Sequence, residues 1–380
     1  MTEKLYYKDA YISEFIATVL SVTAVEGGID IVLDKTAFFP EEGGQSSDTG
    51  YIGDAMVTQV YECDGVVHHI TNKTLSLGET KCSVDFADRF EKMQCHTAEH
   101  ILCGIIHRLF GLDNVGFHLG ADEVTFDVNG VLDRAQLDKV EEMANNVVFS
   151  NLQIKTLFPM AEELSSIDYR AKLDIIEGLR LVQIGDVDIC ACCAPHVGYT
   201  GEIGMIKILD YTKHRSGTRI WMVAGKRALK DYRARYENIK RISAMLCAPQ
   251  LETAQILESY MKDSEAAKLS LKAARMKIAE LEAEKIQGGS GNRVFLLSDF
   301  AIPELIAFSN IVSEKVDGIS VAVSGMDGDY KYVISSKTTD LRLAVKEVNS
   351  ALNGRGGGRS EMIQGSFSCT LDEIKEYFKK

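Results

Sequence analysis

Apolar and polar residues alternate through ATVLSVTAVEGGIDIVLDKTAF, and the alternation breaks at Glu26-Gly27-Gly28. This pattern predicts two strands joined by a turn. MVTQVYECDGVVHHITNK predicts a second hairpin, turning at Asp64-Gly65. Between them lies the loop FFPEEGGQSSDTGYIG, where Gly43-Gly44 lets the backbone approach a ligand or simply turn. From residue 88 the period changes. Met93, Ala98, Ile101, Ile105 and Leu109 fall on one stripe and Gly111 follows, which predicts an amphipathic helix over 88–111. A further helix is predicted over 133–152, a strand pair or buried strand over 179–189, and two strands over 201–225 joined around Lys213–Gly217.

Beyond Lys226 the pattern is helical, broken at Cys247-Ala248-Pro249. In the second helix Thr253, Leu257, Tyr260, Ser264, Ala267, Leu271, Ala274, Ile278 and Leu281 recur in a 4/3 rhythm. Such a seam suits a helical hairpin or a dimer stalk. Gln287–Gly291 reads as a flexible linker. VFLLS, GISVAVSG and YKYVISS then predict strands, TDLRLAVKEVNSAL a helix and NGRGGGRSEMIQGS a loop. The fold class expected is α+β: a β-rich, barrel-like domain over 1–87, an α/β domain over 88–225, long helices over 226–287, and a small α/β domain over 292–380.

Composition narrows the class. The 380 residues are 46% hydrophobic and 26% charged, ordinary for a soluble globular chain. No apolar run reaches the ~20 residues of a membrane-spanning helix. MTEKLYYKDAYISEF lacks the apolar core of a secretory signal, so the expected compartment is the cytoplasm. Lys plus Arg is 42 against 55 Asp plus Glu, a net charge of −13. Yet residues 205–241 hold eleven basic and three acidic residues, and 331–359 hold six and two. Basic islands on an acidic body suit local contact with a polyanion, or a solvated helix face.

His96 and His100 sit at i and i+4, which places both imidazoles on one helix face. Glu99 lies between them, so this is not the His-Glu-x-x-His of metallopeptidases. Glu99 is free to orient a histidine or to face solvent. A second group follows in CysAlaCysCysAlaProHis: Cys190, Cys192, Cys193 and His196. Nitrogen and thiolate donors in this number favour Zn²⁺. The chemistry alone leaves open which of the three cysteines is the ligand. Four protein donors describe a closed, structural site; three plus water describe an open one.

At these residues the chain resembles a known family. TAFFPEEGGQSSDTGYI is similar to the Thr-Pro-Phe-Tyr…Gly-Gly-Gln…Asp-Thr-Gly segment of alanyl-tRNA synthetase editing domains. His96-x-x-x-His100 resembles their zinc helix, and CysCysAlaProHisVal with ThrGlyGluIleGly resembles their Cys-Gly-Gly-Thr-His-Val…Thr-Gly-Glu-Ile-Gly. GlyThrArgIleTrpMetValAlaGly and the glycine-rich NGRGGGR…MIQG resemble, in the same order, the later strand and the DHH-associated domain that ends these synthetases. The chain starts directly at the β-rich module, leaving no room for an aminoacylation domain, so ATP binding is not expected. The resemblance is to the free-standing editing proteins of the AlaX family, long form.

That resemblance implies an aminoacyl-tRNA deacylase acting in trans on mischarged tRNA(Ala), chiefly Ser-tRNA(Ala), with Gly-tRNA(Ala) a second candidate. It implies zinc held by His96, His100, Cys192 and His196. It implies Thr36 and Gln45 as catalytic-pocket residues. Gly43, Gly44, Lys213, Arg215 and Arg219 are candidates for contact with the tRNA acceptor end, and a homodimer is expected. Serine exceeds alanine by one hydroxyl, which an apolar charging pocket rejects poorly; a second site that hydrogen-bonds the hydroxyl removes the error. A different class, a non-catalytic tRNA-binding protein with a structural zinc, shares the same metal ligands.

Overall fold

The structure is a computed structural model and describes every residue except 121, 122, 165, 172–178 and 380. It is α+β, with several sheets and eight α-helices among the described residues. The chain divides into two compact units, Met1–Asn238 and Ile239–Lys380.

In the first unit six strands close into a barrel in the order Glu14–Val25, Gly28–Leu33, Val66–Thr71, Ala55–Cys63, Gly50–Ile52 and Gly78–Val84. The hairpin at Asp64-Gly65 needs two successive positive φ angles, 48° and 77°. Aspartate and glycine tolerate that conformation. Alternate residues point inward, so Val19, Ile31, Leu33, Ile52, Val57, Val60 and Val67 fill the barrel.

Helix Phe86–Phe110 follows. Asp85 caps it by accepting from the N–H groups of Ala87 and Asp88, and Gly111 ends it at φ 64°. Instead of one apolar stripe, the helix is buried on nearly every side. Arg89, Lys92, Gln94, His96, Glu99 and His100 are inside with the apolar residues. Burial of polar groups is tolerated where each finds a partner, and these do. A four-stranded antiparallel sheet packs beside the helix, in the order Ile206–His214, Gly217–Ala224, Val124–Val128, Asn114–Leu119. Helix Arg134–Phe149 starts on an Asp133/Gln136 capping box. A three-stranded sheet, Ile154–Leu157, Leu181–Ile184 and Asp188–Ala191, completes the unit. Its last two strands are the pair read over 179–189.

Helix Gly225–Leu246 carries the boundary between the units, and Cys247 at φ 49° ends it. In the second unit, helix Thr253–Glu284 buries Ala279 and Ala283 against Leu305, Phe308 and Val312. The 4/3 seam lies elsewhere: Leu257, Tyr260, Leu271, Ile278 and Leu281 are exposed. Helix Ile302–Val312 had no sequence signal assigned to it. The glycine-rich segment read as a loop is instead two strands. Gly354–Gly358 pairs antiparallel with Met362–Phe367 at the edge of a five-stranded sheet. A Cβ at Gly356 would lie 2.3 Å from the Tyr332 hydroxyl, so these glycines serve close packing in the sheet.

One ion pair ties the barrel side to the central helix. Arg89 Nε donates to both Asp48 oxygens at 2.9 Å, its other nitrogens reach the carbonyls of Ala10 and Ala37, and Asp48 accepts from the Phe39 N–H. Both side chains are out of water. Arg89→Met is expected to cost roughly 3–5 kcal/mol in urea unfolding, because it strands the Asp48 charge. A loss below about 1 kcal/mol would show the pair behaving as a surface one.

Candidate metal centre

Three separate segments build the centre. Helix Phe86–Phe110 supplies His96 and His100. The hairpin strand Asp188–Ala191 leads into Cys192 and His196. The loop before Gly50 supplies Gln45. One donor atom from each of His96, His100, Cys192 and His196 lies within 4.8 Å of all the others. The Cys192 Sγ is 3.6 Å from His96 Nε2 and 3.3 Å from His196 Nε2. A tetrahedron built on ordinary zinc–nitrogen and zinc–sulfur bonds has N···S edges of about 3.5 Å. The donor set and its spacing therefore fit a zinc ion.

The other side of each imidazole is occupied. His96 Nδ1 donates to Gln45 Oε1 at 2.8 Å, His100 Nδ1 to Asp188 Oδ2 at 3.1 Å, and His196 Nδ1 to Thr97 Oγ1 at 3.0 Å. Thr97 gives its own proton to the Met93 carbonyl, so it must accept from His196. Asp188 is gripped in turn by Arg170 through two bonds of 2.7 and 2.9 Å. In its neutral form, with Nδ1 protonated, each of the three rings presents a bare Nε2. The ring of Phe117 lies 4.8 Å from that of His96.

Electrostatics separate two of the cysteines. Burial works against ionising Cys192, but the imidazoles of His96 and His196 and hydrogen bonds from His100 and His196 hold its thiol well below the ordinary value. Burial instead pushes Cys193 up, with Cys192 and Glu42 adding to it. Cys193 therefore keeps its proton while Cys192 offers a thiolate. Cys190 forms a second group with His100 and Asp188. Burial holds His196 down to about 3. Burial also opposes the charged form of His100, yet Cys190 and Asp188 raise it well above its usual value.

The loop and the cysteine segment are both clamped. Gly43 and Gly44 have φ of 63° and 82°, and the backbones of Glu42 and Gln45 exchange two hydrogen bonds across them. That is the two-residue reversal that glycine makes easily. A Cβ on Gly44 would sit 2.2 Å from the Phe117 carbonyl, and the Gly44 carbonyl accepts from Leu119 N. Gln45 is thereby aimed at His96. Its own Nε2 is buried with no hydrogen-bond partner. Arg180 donates to the carbonyls of Cys192 and Ala194 at 2.7 and 2.9 Å, and its guanidinium lies over the Tyr7 ring.

Other candidates fall elsewhere. Thr36 is buried in the barrel with its hydroxyl on His69. Glu99 neither orients a histidine nor faces solvent. It is buried, accepting from Asn114 and from the Cys103 thiol. Lys213 and Arg215 sit at the hairpin turn before Gly217, and Arg219 is held by two bonds to Asp127. Lys207 pairs with Glu141, and Lys226 and Arg227 with Glu91. Asp188, Arg170, Thr97 and Arg180 had no sequence signal. Asp188 stands 88 positions from the His100 it backs, and Thr97 stands 99 from His196.

Residues 179–220 match the family model described as Threonyl and Alanyl tRNA synthetase second additional domain. The chain is 28% identical to the alanyl-tRNA editing protein AlaX-L of Pyrococcus horikoshii, over 98% of this chain and 96% of that one. It is 33% identical to the alanine–tRNA ligase of Halobacterium salinarum over 86% of this chain, but spans only 38% of that ligase. The C-Ala domain of Aquifex aeolicus alanyl-tRNA synthetase matches 25% of the chain at 18% identity, with a TM-score of 0.22. The resemblance to alanyl-tRNA editing proteins thus extends over nearly the whole chain.

Asp188→Asn is expected to weaken zinc binding by about 10–100-fold in a chelator competition, since it loosens His100. Proton and metal compete for the same lone pair, and Cys190 and Asp188 make His100 hold its proton more tightly than a free imidazole does. Zinc affinity should therefore rise ~tenfold per pH unit below the His100 pKa and level off above it. Affinity flat with pH would contradict that assignment.

Proposed function

We propose that this chain is a trans-editing deacylase that hydrolyses the ester of serine mischarged onto tRNA(Ala), with glycine as a second amino acid. The observation that carries the reading is the convergence of three Nδ1-anchored histidines and the Cys192 thiolate beside the unpaired Gln45 amide. His96, His100, Cys192 and His196 would hold Zn²⁺, which when bound supplies Lewis acidity and a template for the amino acid. Gln45 Nε2 has a free donor for the substrate. The Gly43-Gly44 turn, having no side chains, lets the ester's ribose approach.

The tRNA acceptor end is the partner proposed, with Lys213, Arg215 and Arg219 at the exposed hairpin offering charge to its phosphates. Among the described residues no helix is long and apolar enough to cross a membrane. We place the protein in the cytoplasm, as a dimer through the exposed seam of helix Thr253–Glu284. The burial of His96, His100 and His196 behind four protein donors favours a second reading, a structural zinc in a protein that binds tRNA without cleaving it.

Deacylation assays separate the two. Folded, zinc-loaded protein should release serine from Ser-tRNA(Ala) while sparing Ala-tRNA(Ala) and Ser-tRNA(Ser). Gln45→Ala, assayed at saturating zinc because it also frees His96 Nδ1, should lower kcat/KM by about tenfold or more. If no ester is cleaved while tRNA still binds, the structural-zinc reading stands instead.

A further inference from the structure

Tyr11 is not a donor of the metal centre. It lies in the segment before barrel strand Glu14–Val25. Its ring packs beside Phe86 and Phe90 of the central helix, at 6.0 and 6.4 Å between centroids. Its hydroxyl accepts from the Gly198 N–H at 2.6 Å and lies 2.7 Å from Glu202 Oε2, partners 187 and 191 positions away in sequence. Burial and the hydrogen bond to Glu202 push the phenol up, so it keeps its proton. A carboxylate only accepts, so Tyr11 donates to Glu202. The other Glu202 oxygen accepts from the Tyr199 N–H at 2.9 Å. One carboxylate therefore holds two successive backbone N–H groups, one directly and one through the phenol. A Cβ at Gly198 would lie 3.3 Å from Glu202 Oε1 and 3.4 Å from the Tyr11 hydroxyl, so glycine lets both close in.

These bonds complete a row along the chain. His196 Nδ1 donates to Thr97 Oγ1 at 3.0 Å and the Val197 N–H to the same oxygen at 3.4 Å. Gly198 and Tyr199 then donate to Tyr11 and Glu202. Thr97 stands on the central helix between His96 and His100, and Tyr11 is wedged against that helix. Gln94 of the same helix grips the Glu202 carbonyl at 2.8 Å. The row thus refers His196 to the helix that carries the other two imidazoles. Thr97 holds the ring, and Tyr11 holds the backbone that bears it.

We propose that Tyr11 is a positioning residue for His196, acting through Gly198 and Glu202 to set the backbone that presents this imidazole before zinc arrives. The proposal rests on the reading of the four donors as a zinc site. It holds whether that zinc is catalytic or structural, so absence of ester cleavage does not touch it. Without the hydroxyl, the Gly198 N–H loses its acceptor and Glu202 loses a donor. The Thr97 bond remains, but the ring swings with its loosened backbone and leaves the metal more often. Groups that hold a ligand from behind change metal affinity by about 10–100-fold.

The test measures zinc release to excess chelator and the visible spectrum of the Co²⁺-substituted protein. The variants are Tyr11→Phe, Glu202→Ala, their combination and Asp133→Ala. Tyr11→Phe keeps the ring against Phe86 and Phe90 and removes only the hydroxyl. Asp133 caps helix Arg134–Phe149, so Asp133→Ala lowers stability at a distance from the centre. Tyr11→Phe should speed zinc release ~tenfold or more and shift the Co²⁺ bands. Glu202→Ala should do at least as much, and the combination should be no faster than Glu202→Ala, because the two residues act as one chain. Asp133→Ala should change neither readout. An unchanged release rate in folded Tyr11→Phe overturns the proposal. So does equal acceleration in Asp133→Ala, or a combination whose effect is the product of the two singles. Wild type that takes up no Zn²⁺ overturns the zinc reading and the proposal with it. Should Tyr11→Phe not fold, amide exchange on wild type decides. The Gly198 and Tyr199 N–H groups should be protected even without zinc, and free exchange in the zinc-free protein overturns the proposal.

Discussion

A buried imidazole has two nitrogens, and each must be satisfied or the burial costs ~1–3 kcal/mol. The candidate metal centre depends on that constraint. His96, His100 and His196 are each met at Nδ1, by an amide, a carboxylate and a hydroxyl. The three partners come from the glycine turn, the hairpin strand and the central helix itself. Their positions decide which way each ring faces. Convergence of the Nε2 atoms with Cys192 is therefore a consequence of barrel, sheet and helix meeting at one place.

The central helix shows the same logic on a larger scale. Surrounded by barrel, sheet and cysteine segment, it has no solvated face for its polar residues. Arg89 reaches Asp48 and two carbonyls, Gln94 the Glu202 carbonyl, and Lys92 the Ser47 carbonyl. Each bond also pins a neighbouring loop. The pins at Ser47 and Asp48 hold the segment that carries Gln45, so stability of the helix and geometry of the site are coupled.

Donor chemistry was legible early because metal ligands come in spaced pairs. An i, i+4 histidine pair declares its shared face from helical geometry alone. Hairpins were legible where glycine and aspartate marked the turn. The glycine-rich stretch misled, since glycine serves a loop and a crowded sheet edge equally well. There Gly356 faces Gly365 under the Tyr332 hydroxyl, a fact about a neighbouring strand. The exposed seam of helix Thr253–Glu284 likewise has a period that says nothing of which face the rest of the unit will cover.

The chain by itself determined the elements with strong local signals, the candidate donors, and the resemblance to editing proteins, because these rest on residue type and short spacing. Only the tertiary structure decided which groups back each ligand. Asp188 lies 88 positions from His100, and His69 lies 33 from Thr36. Cys192 and Cys193 are adjacent and chemically identical in sequence, yet one faces three imidazoles and the other a carboxylate. Protonation and hydrogen-bond direction depend on what surrounds an atom in space, and that is set when distant segments pack.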